Sequence, residues 1–214
     1  MPRSTTPGAP LLLFARNFLR HPRMLGSVIP SSHFLIDSLL APVDWERARV
    51  LVEYGPGVGG ITAEVLRRMH PEARLVAIET NPDFVHYLRR SIPDPRLTIL
   101  HDSAVHAQAL LARLGHARAD YVISGVPFST MPAELRESIL TATHEILAPE
   151  GRFLVYQFSS RVLADLRRTF GRVARRFQPF NVLPAQLFFC EPNETRTPLA
   201  ARAIADDERL PPAA

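Results

Sequence analysis

The sequence predicts an α/β fold: a mostly parallel sheet with helices on both faces. Three observations predict it. Short β-rich runs alternate with helix-period segments from Arg49 to Phe158. Those runs are apolar at successive positions, as strands covered on both faces are. The last two runs then lie too close together for a crossover helix, so they close the sheet as an antiparallel hairpin. A chain of 214 residues has the size of one such domain. Hydrophobic residues at 46% and charged residues at 21% match ordinary globular usage and exclude a disordered or fibrous chain.

The elements follow in order. Residues 1–10 are polar and proline-bearing and read as a disordered tail. Residues 11–43 read as an N-terminal helical cap. On a helical projection Leu11, Leu12, Phe14, Phe18 and Leu19 share one arc, with Arg16 and Arg20 opposite and Leu13 out of pattern. Such an amphipathic helix suits either a membrane interface or the surface of the sheet. The main domain spans 44–193. Its first strand is Arg49–Tyr54, followed by glycines and a helix over Ile61–Met69. Arg74–Thr80 is the second strand, and Asn81-Pro82 supplies a cap and a first-turn proline for Phe84–Ser91. Leu97–Leu100 is the third strand and Ala104–Leu114 its helix. Asp120–Ser124 is the fourth strand, with a helix over Ala133–Leu147. The turn Ala148–Gly151 leads into Phe153–Phe158, the fifth. A helix presents Arg161, Arg168 and Arg172 opposite Val162, Leu166 and Phe170. The hairpin is Arg175–Val182 and Ala185–Cys190, and 194–214 reads as a flexible tail.

The formal charge is +4, and all 25 basic residues are Arg. They cluster: residues 1–43 carry Arg3, Arg16, Arg20 and Arg23 against Asp37, and residues 161–180 carry six Arg against Asp165. Both clusters suit a polyanion or an anionic membrane surface, and equally a solvated face. No stretch reaches the roughly 18 apolar residues of a membrane span. The start has no long apolar core of a secretory signal, which points to the cytoplasm. Cys190 stands alone, so no internal disulfide forms.

The strongest motif is Val50-Leu-Val-Glu53-Tyr-Gly55-Pro-Gly57-Val-Gly59-Gly60-Ile-Thr62. A buried strand, a glycine turn and a helix start make a nucleotide-type site. Two cofactors compete for it. Gly55, Gly57 and Gly60 satisfy the dinucleotide fingerprint, with Glu79 placed to hold a ribose. Glu53 argues the other way, because a carboxylate there repels a pyrophosphate and attracts a cationic ligand. Pro56 also removes one N–H that a phosphate would use. His101 and His106 with Asp102 lack a metal-binding spacing, and no metal is expected.

Glu53-x-Gly55-x-Gly57-x-Gly59, the acidic Glu79 and His101-Asp102-Ser103 resemble the first three motifs of class I S-adenosylmethionine-dependent methyltransferases. The resemblance implies a Rossmann-like seven-stranded sheet and S-adenosylmethionine as cofactor, with S-adenosylhomocysteine as product. It assigns the cofactor to Glu53, Gly55, Gly57, Gly59, Glu79, Asp102, Ser103 and Ser124. Glu79 would hold the ribose hydroxyls, and Asp102 with the Ser103 backbone would face the adenine. Asp102 also suits the N-cap of the following helix.

Ile123-Ser124-Gly125-Val126-Pro127-Phe128 lies where amine methylases keep an Asn-Pro-Pro-Tyr type motif. Pro127 and Phe128 are kept, but Gly125 stands in place of the Asn whose amide orients a planar base. Gly125, Pro127 and Phe128 are the expected catalytic positions. The Phe128 ring suits either a cation–π contact with an amine or the core. This stretch, with Gly26–Ser32 and Asn181–Ala185, is similar to the soluble bacterial phosphatidylethanolamine N-methyltransferases. That resemblance implies a phospholipid amine substrate, with Arg16, Arg20, Arg23, Ser31 and Ser32 facing the lipid or membrane. It makes the chain peripherally membrane-associated and nucleic acid an unfavoured partner. An rRNA adenine N6-methyltransferase is the alternative, and a dinucleotide-dependent module a third. The chemistry implied is an in-line displacement, for which the 124–130 loop offers no general base.

Overall fold

The computed structural model describes residues 32–181 and 183–193. The expected tails, the amphipathic helix from Leu11, and Arg16, Arg20, Arg23, Ser31 and Val182 lie outside the described residues. Helix α1 (His33–Leu40) leads to β1 (Val50–Tyr54), α2 (Gly60–Arg68), β2 (Arg74–Glu79), α3 (Pro82–Ser91) and β3 (Leu97–His101). A 3₁₀ turn over Ala104–His106 precedes α4 (Ala107–Arg113) and β4 (Ala119–Ser124). A second one over Phe128–Thr130 precedes α5 (Ala133–Ile146), β5 (Leu147–Gln157), α6 (Leu163–Thr169), β6 (Arg172–Gln178) and β7 (Ala185–Glu191).

The seven strands run in the order β3-β2-β1-β4-β5-β7-β6. The first five are parallel, and β7 is antiparallel to both β5 and β6. Alternation along each strand builds two cores. Val52, Tyr54, Val76, Val122, Phe153 and Val155 pack against α4, α5 and α6 on one face. Leu51, Leu75, Ile123, Leu154 and Tyr156 pack against α1 and α2 on the other. Strand order reverses between β1 and β4, so a crevice opens beyond their carboxyl ends.

Three boundaries depart from expectation. Leu35, Ile36, Leu39, Leu40 and Val43 belong to the second core, so residues 33–43 are part of the domain and not a separate cap. The expected turn Ala148–Gly151 is a bulge within β5, where the register passes from Ala119↔Leu147 to Tyr121↔Arg152. The basic helix ends at Thr169. Its buried face, Val162, Leu166 and Phe170, is as expected, but Arg172 opens β6 and pairs with Glu191. The sixth strand therefore starts early, and it stops at Gln178 because Pro179 has no N–H to give.

Candidate active site

Three glycines shape the turn after β1. Gly55, Gly57 and Gly59 have φ of 66°, 57° and 82°, a region that side chains rarely adopt. A Cβ on Gly59 would also meet Ile92 Cδ1 at 2.6 Å and Leu88 Cδ2 at 2.7 Å. Gly60, in contrast, has nothing within 4 Å of its Cβ position and no positive φ. The glycine spacing that the backbone needs is thus 55, 57, 59. The third glycine of the dinucleotide fingerprint serves no packing purpose here.

Glu53 sits beneath this turn. It is 2% exposed, and its Oε2 accepts the Thr62 hydroxyl at 2.6 Å. Burial pushes its carboxyl up to about 7; the Thr62 bond opposes this and the Glu79 charge adds to it. The expectation that Glu53 faces the ligand is therefore corrected. Alternation along β1 turns its side chain toward α2, where it braces the turn to the helix start.

Glu79, at the end of β2, does face the cavity. Its Oε2 accepts the Gly57 N–H at 3.1 Å and its Oε1 the Asn81 N–H at 2.9 Å. Burial raises its pKa, opposed by the backbone N–H groups of Asn81, Gly57 and Thr80. Asp102 follows β3 beside it, and its N–H donates to Glu79 O at 3.1 Å. Its Oδ1 accepts the Ser103 N–H at 2.7 Å and lies 2.7 Å from His106 Nδ1. His106 first, and the Ser103 N–H second, hold its carboxyl below the usual range. The cap of the following turn is the Ser103 hydroxyl, which accepts the Val105 N–H at 3.3 Å. Asp102 does not cap it.

Glu79, Thr80, Asp102 and Ser103 line a cavity of about 220 Å³, with Ile78, Phe84, Ala104, Val126, Pro127 and Met131 as apolar walls. Carboxylates at one side, a backbone N–H and an apolar slot fit the adenosine part of S-adenosylmethionine. The positive-φ glycines let backbone approach the rest of it closely.

The loop after β4 is held from β5. Gln157 Nε2 donates to Val126 O at 2.7 Å, and its Oε1 accepts the Ser129 N–H at 3.4 Å. Arg136 Nη1 donates to Phe128 O and Met131 O. Ser124, buried, accepts the Val126 N–H at 3.3 Å through its hydroxyl. Pro127 lines the cavity, but Phe128 does not. Its ring is 0% exposed and lies edge-on to Phe153 with centroids 6.2 Å apart. The expected contact of this ring with an amine is corrected: Phe128 belongs to the core. Gly125 has Tyr156 beside it, with the phenol oxygen 2.9 Å from where a Cβ would stand.

Ser32, expected at the lipid, is engaged elsewhere. Its hydroxyl accepts the Leu35 N–H and donates to Phe180 O at 2.6 Å, while its N–H donates to Asn181 Oδ1 at 2.8 Å. Two short motifs far apart in sequence thus meet at the rim of the sheet. Sequence reasoning missed Tyr156, Gln157 and this link. Only the polar residues ending an apolar strand hinted at the first two.

The family model described as ribosomal RNA adenine dimethylase matches residues 15–129. An ornithine lipid N-methyltransferase of Singulisphaera acidiphila is 33% identical over 186 residues, covering 83% of this chain and 94% of that protein. Ribosomal RNA small subunit methyltransferase A of Laribacter hongkongensis is 29% identical over 96 residues, 45% of this chain and 35% of its own. Among solved structures, the N-methyltransferase NodS of Bradyrhizobium japonicum, in complex with S-adenosylhomocysteine, aligns with a TM-score of 0.59 at 14% identity. That alignment covers 84% of this chain and 88% of the other. A 1,6-didemethyltoxoflavin-N1-methyltransferase of Burkholderia thailandensis, also with S-adenosylhomocysteine, aligns at 0.58 and 16%, covering 91% and 93%.

Proposed function

The chain belongs to the ribosomal RNA adenine dimethylase family of class I S-adenosylmethionine-dependent methyltransferases, and from that premise we propose that it methylates the amine of a membrane-lipid headgroup. The end-to-end match to the Singulisphaera enzyme carries this reading, because the ribosomal RNA enzymes align over about a third of their length only. Gly125 supports it: the amide that would orient an adenine amine is missing, and Tyr156 closes the space where it would stand.

S-adenosylmethionine, when bound, supplies an electrophilic sulfonium methyl. Glu79 is assigned to the ribose hydroxyls, and Asp102 with the Ser103 N–H to the adenine. Gly55, Gly57 and Gly59 admit the backbone close to the ligand. Gln157 and Arg136 fix the 126–131 loop, so that nucleophile and methyl meet in line and much of the entropic barrier is removed in advance. An ammonium headgroup has no lone pair and must first lose a proton, which an apolar cavity favours.

The headgroup is phosphatidylethanolamine, taken to mono-, di- and trimethylated forms, or the ornithine lipid named for the relative. Arg16, Arg20, Arg23 and Ser31 are assigned to the lipid surface on their sequence pattern alone, which makes the enzyme a peripheral membrane protein. No helix among the described residues is long and apolar enough to cross a membrane. The deciding experiment expresses the chain in a host lacking methylated lipids and measures its lipids by mass spectrometry. Both headgroups are scored for added methyl mass. Methyl label confined to RNA, as N6-methyladenine, would support the ribosomal RNA reading that the family model favours.

A further inference from the structure

We infer that the loop between β6 and β7, with the start of α1, seats the cavity end of the sheet on an anionic lipid bilayer. The inference rests on the lipid-amine reading above and adds a membrane contact separate from the N-terminal arginines. Phe34, Phe177, Phe180 and Leu183 are 50%, 56%, 67% and 43% exposed. They are four of the six large apolar side chains that stand exposed among the described residues, so they form a patch and not a scatter. The Phe34 and Phe180 rings meet with centroids 5.7 Å apart. Hydrogen bonds hold the patch in place. Gln178 Nε2 donates to Phe34 O and its Oε1 accepts the Phe180 N–H, both at 3.0 Å. Asn181 Nδ2 donates to Leu183 O at 3.0 Å. Gln178 also reaches Ser38 of α1, so alternation along β6 puts Phe177 on the other face, and rings flank the sheet edge on both sides.

Position and charge name the occupant. β7 is antiparallel to both β5 and β6, so β6 ends at the same end of the sheet as β1 and β4, where the cavity opens. Phe177 pairs with Gln186, and Gln186 with Gln157, whose amide holds the cavity-lining Val126. Two strand spacings, about 10 Å, separate Phe177 from Gln157. A bilayer touching the patch thus brings headgroups beside the cavity. From Arg172 to Cys190 the chain carries three Arg and no acidic residue. Arg172 pairs with Glu191, but Arg175 donates to Gln186 Oε1 and Arg176 lies over the Phe189 ring. Neither of these two has an acidic partner among the described residues, and Asp37 of α1 pairs with Arg68. At about 3.3 Å per residue, Arg175 and Arg176 stand roughly 7 to 10 Å behind the end of β6. That spacing sets their guanidinium groups at the phosphates when the rings enter the acyl boundary. A second copy of a chain with charge +4 would instead bring like charge to them.

The test measures co-sedimentation of the full chain with vesicles of phosphatidylglycerol and phosphatidylcholine in equal parts. Phe177→Ser with Phe180→Ser lowers the partition coefficient about tenfold. Arg175→Glu with Arg176→Glu lowers it at least about tenfold on these vesicles and leaves binding to pure phosphatidylcholine unchanged. All four side chains are exposed, so melting temperatures stay close to wild type and show that the variants are folded. A second readout needs no loss of binding. Vesicles brominated on their acyl chains quench the new indole of Phe180→Trp, which adsorption by charge alone would not do. A wild-type chain that stays off the vesicles, unchanged partition in both double variants, or an indole that is not quenched overturns the inference. So does a Phe177→Ser, Phe180→Ser chain that loses a dimer in analytical ultracentrifugation and keeps its vesicle binding. Methyl transfer to detergent-dispersed headgroup lipids is scored alongside. A wild-type chain that methylates none of them overturns the lipid reading, a failure distinct from an absent vesicle contact.

Discussion

Glu79 Oε2 accepts the backbone N–H of Gly57 at 3.1 Å, a bond spanning 22 residues that joins the end of β2 to the turn after β1. The same carboxylate is the one we propose for the ribose hydroxyls. Glu79→Ala removes a charged acceptor from both, so affinity for S-adenosylhomocysteine falls about 10- to 100-fold, read by titration calorimetry. An unchanged affinity would remove Glu79 from the binding site.

Gly59 and Gly60 are adjacent but unlike. Gly59→Ala forces a side chain into positive φ and against Leu88 and Ile92, costing about 1–3 kcal/mol. Gly60→Ala adds a methyl to open space at a helix start and leaves stability unchanged or slightly raised. Thermal unfolding of both variants checks the contrast.

Gln157 spends its amide on the 126–129 loop and reaches the cavity only through the Val126 carbonyl that it holds. Gln157→Leu keeps the bulk and loses the bonds. Turnover falls about tenfold and S-adenosylhomocysteine affinity falls by a smaller factor, since Val126, Pro127 and Met131 of this loop wall the cavity. Steady-state kinetics alongside calorimetry separate the two effects.

Glu53 makes stability depend on pH. Its folded pKa, about 7, lies above the ordinary 4.5, so the folded state binds the proton more tightly. Stability is full below about 4.5 and is lost as pH rises through 7. The span is about 3 kcal/mol, and Glu79, also raised, contributes in the same direction. Glu53→Gln keeps the Thr62 partner and loses the titration. Denaturant midpoints of the ligand-free chain between pH 5 and pH 8 should fall less steeply in this variant than in wild type.

Arg16 and Arg20 test the membrane assignment. Each cation near an anionic leaflet contributes about 1 kcal/mol. Replacing both with Glu should therefore abolish co-sedimentation with vesicles rich in anionic lipid, with methyl transfer to a detergent-dispersed headgroup retained. Undiminished co-sedimentation places the membrane contact elsewhere.

The sequence made the near-range features legible. The strand, glycine turn and helix over 50–68 are contiguous, and their backbone needs are written in glycine and proline. Asn81 caps α3 as its type and position require, its side chain accepting the Asp83 N–H. The hairpin was readable because Arg172–Gln178 and Ala185–Glu191 leave no room for a crossover. What stayed hidden depends on partners across the sheet. Nothing near Gly125 indicates that a phenol 31 residues later fills its side-chain space. Phe128 suited core or ligand equally until Phe153 came into place beside it. Glu53 was read by charge, but alternation along β1 sends that charge toward α2.

Ser32 and Asn181 are joined across 149 residues, and the loop between β6 and β7 is tied through them to the start of α1. A ribosome adding roughly 5–20 residues per second needs on the order of 10 s to travel from one partner to the other. Throughout that interval Ser32, at the start of α1, has been synthesised but lacks its Asn181 partner. The rim of the sheet thus closes only after Asn181 has been made, later than β1 to β5 and the helices between them.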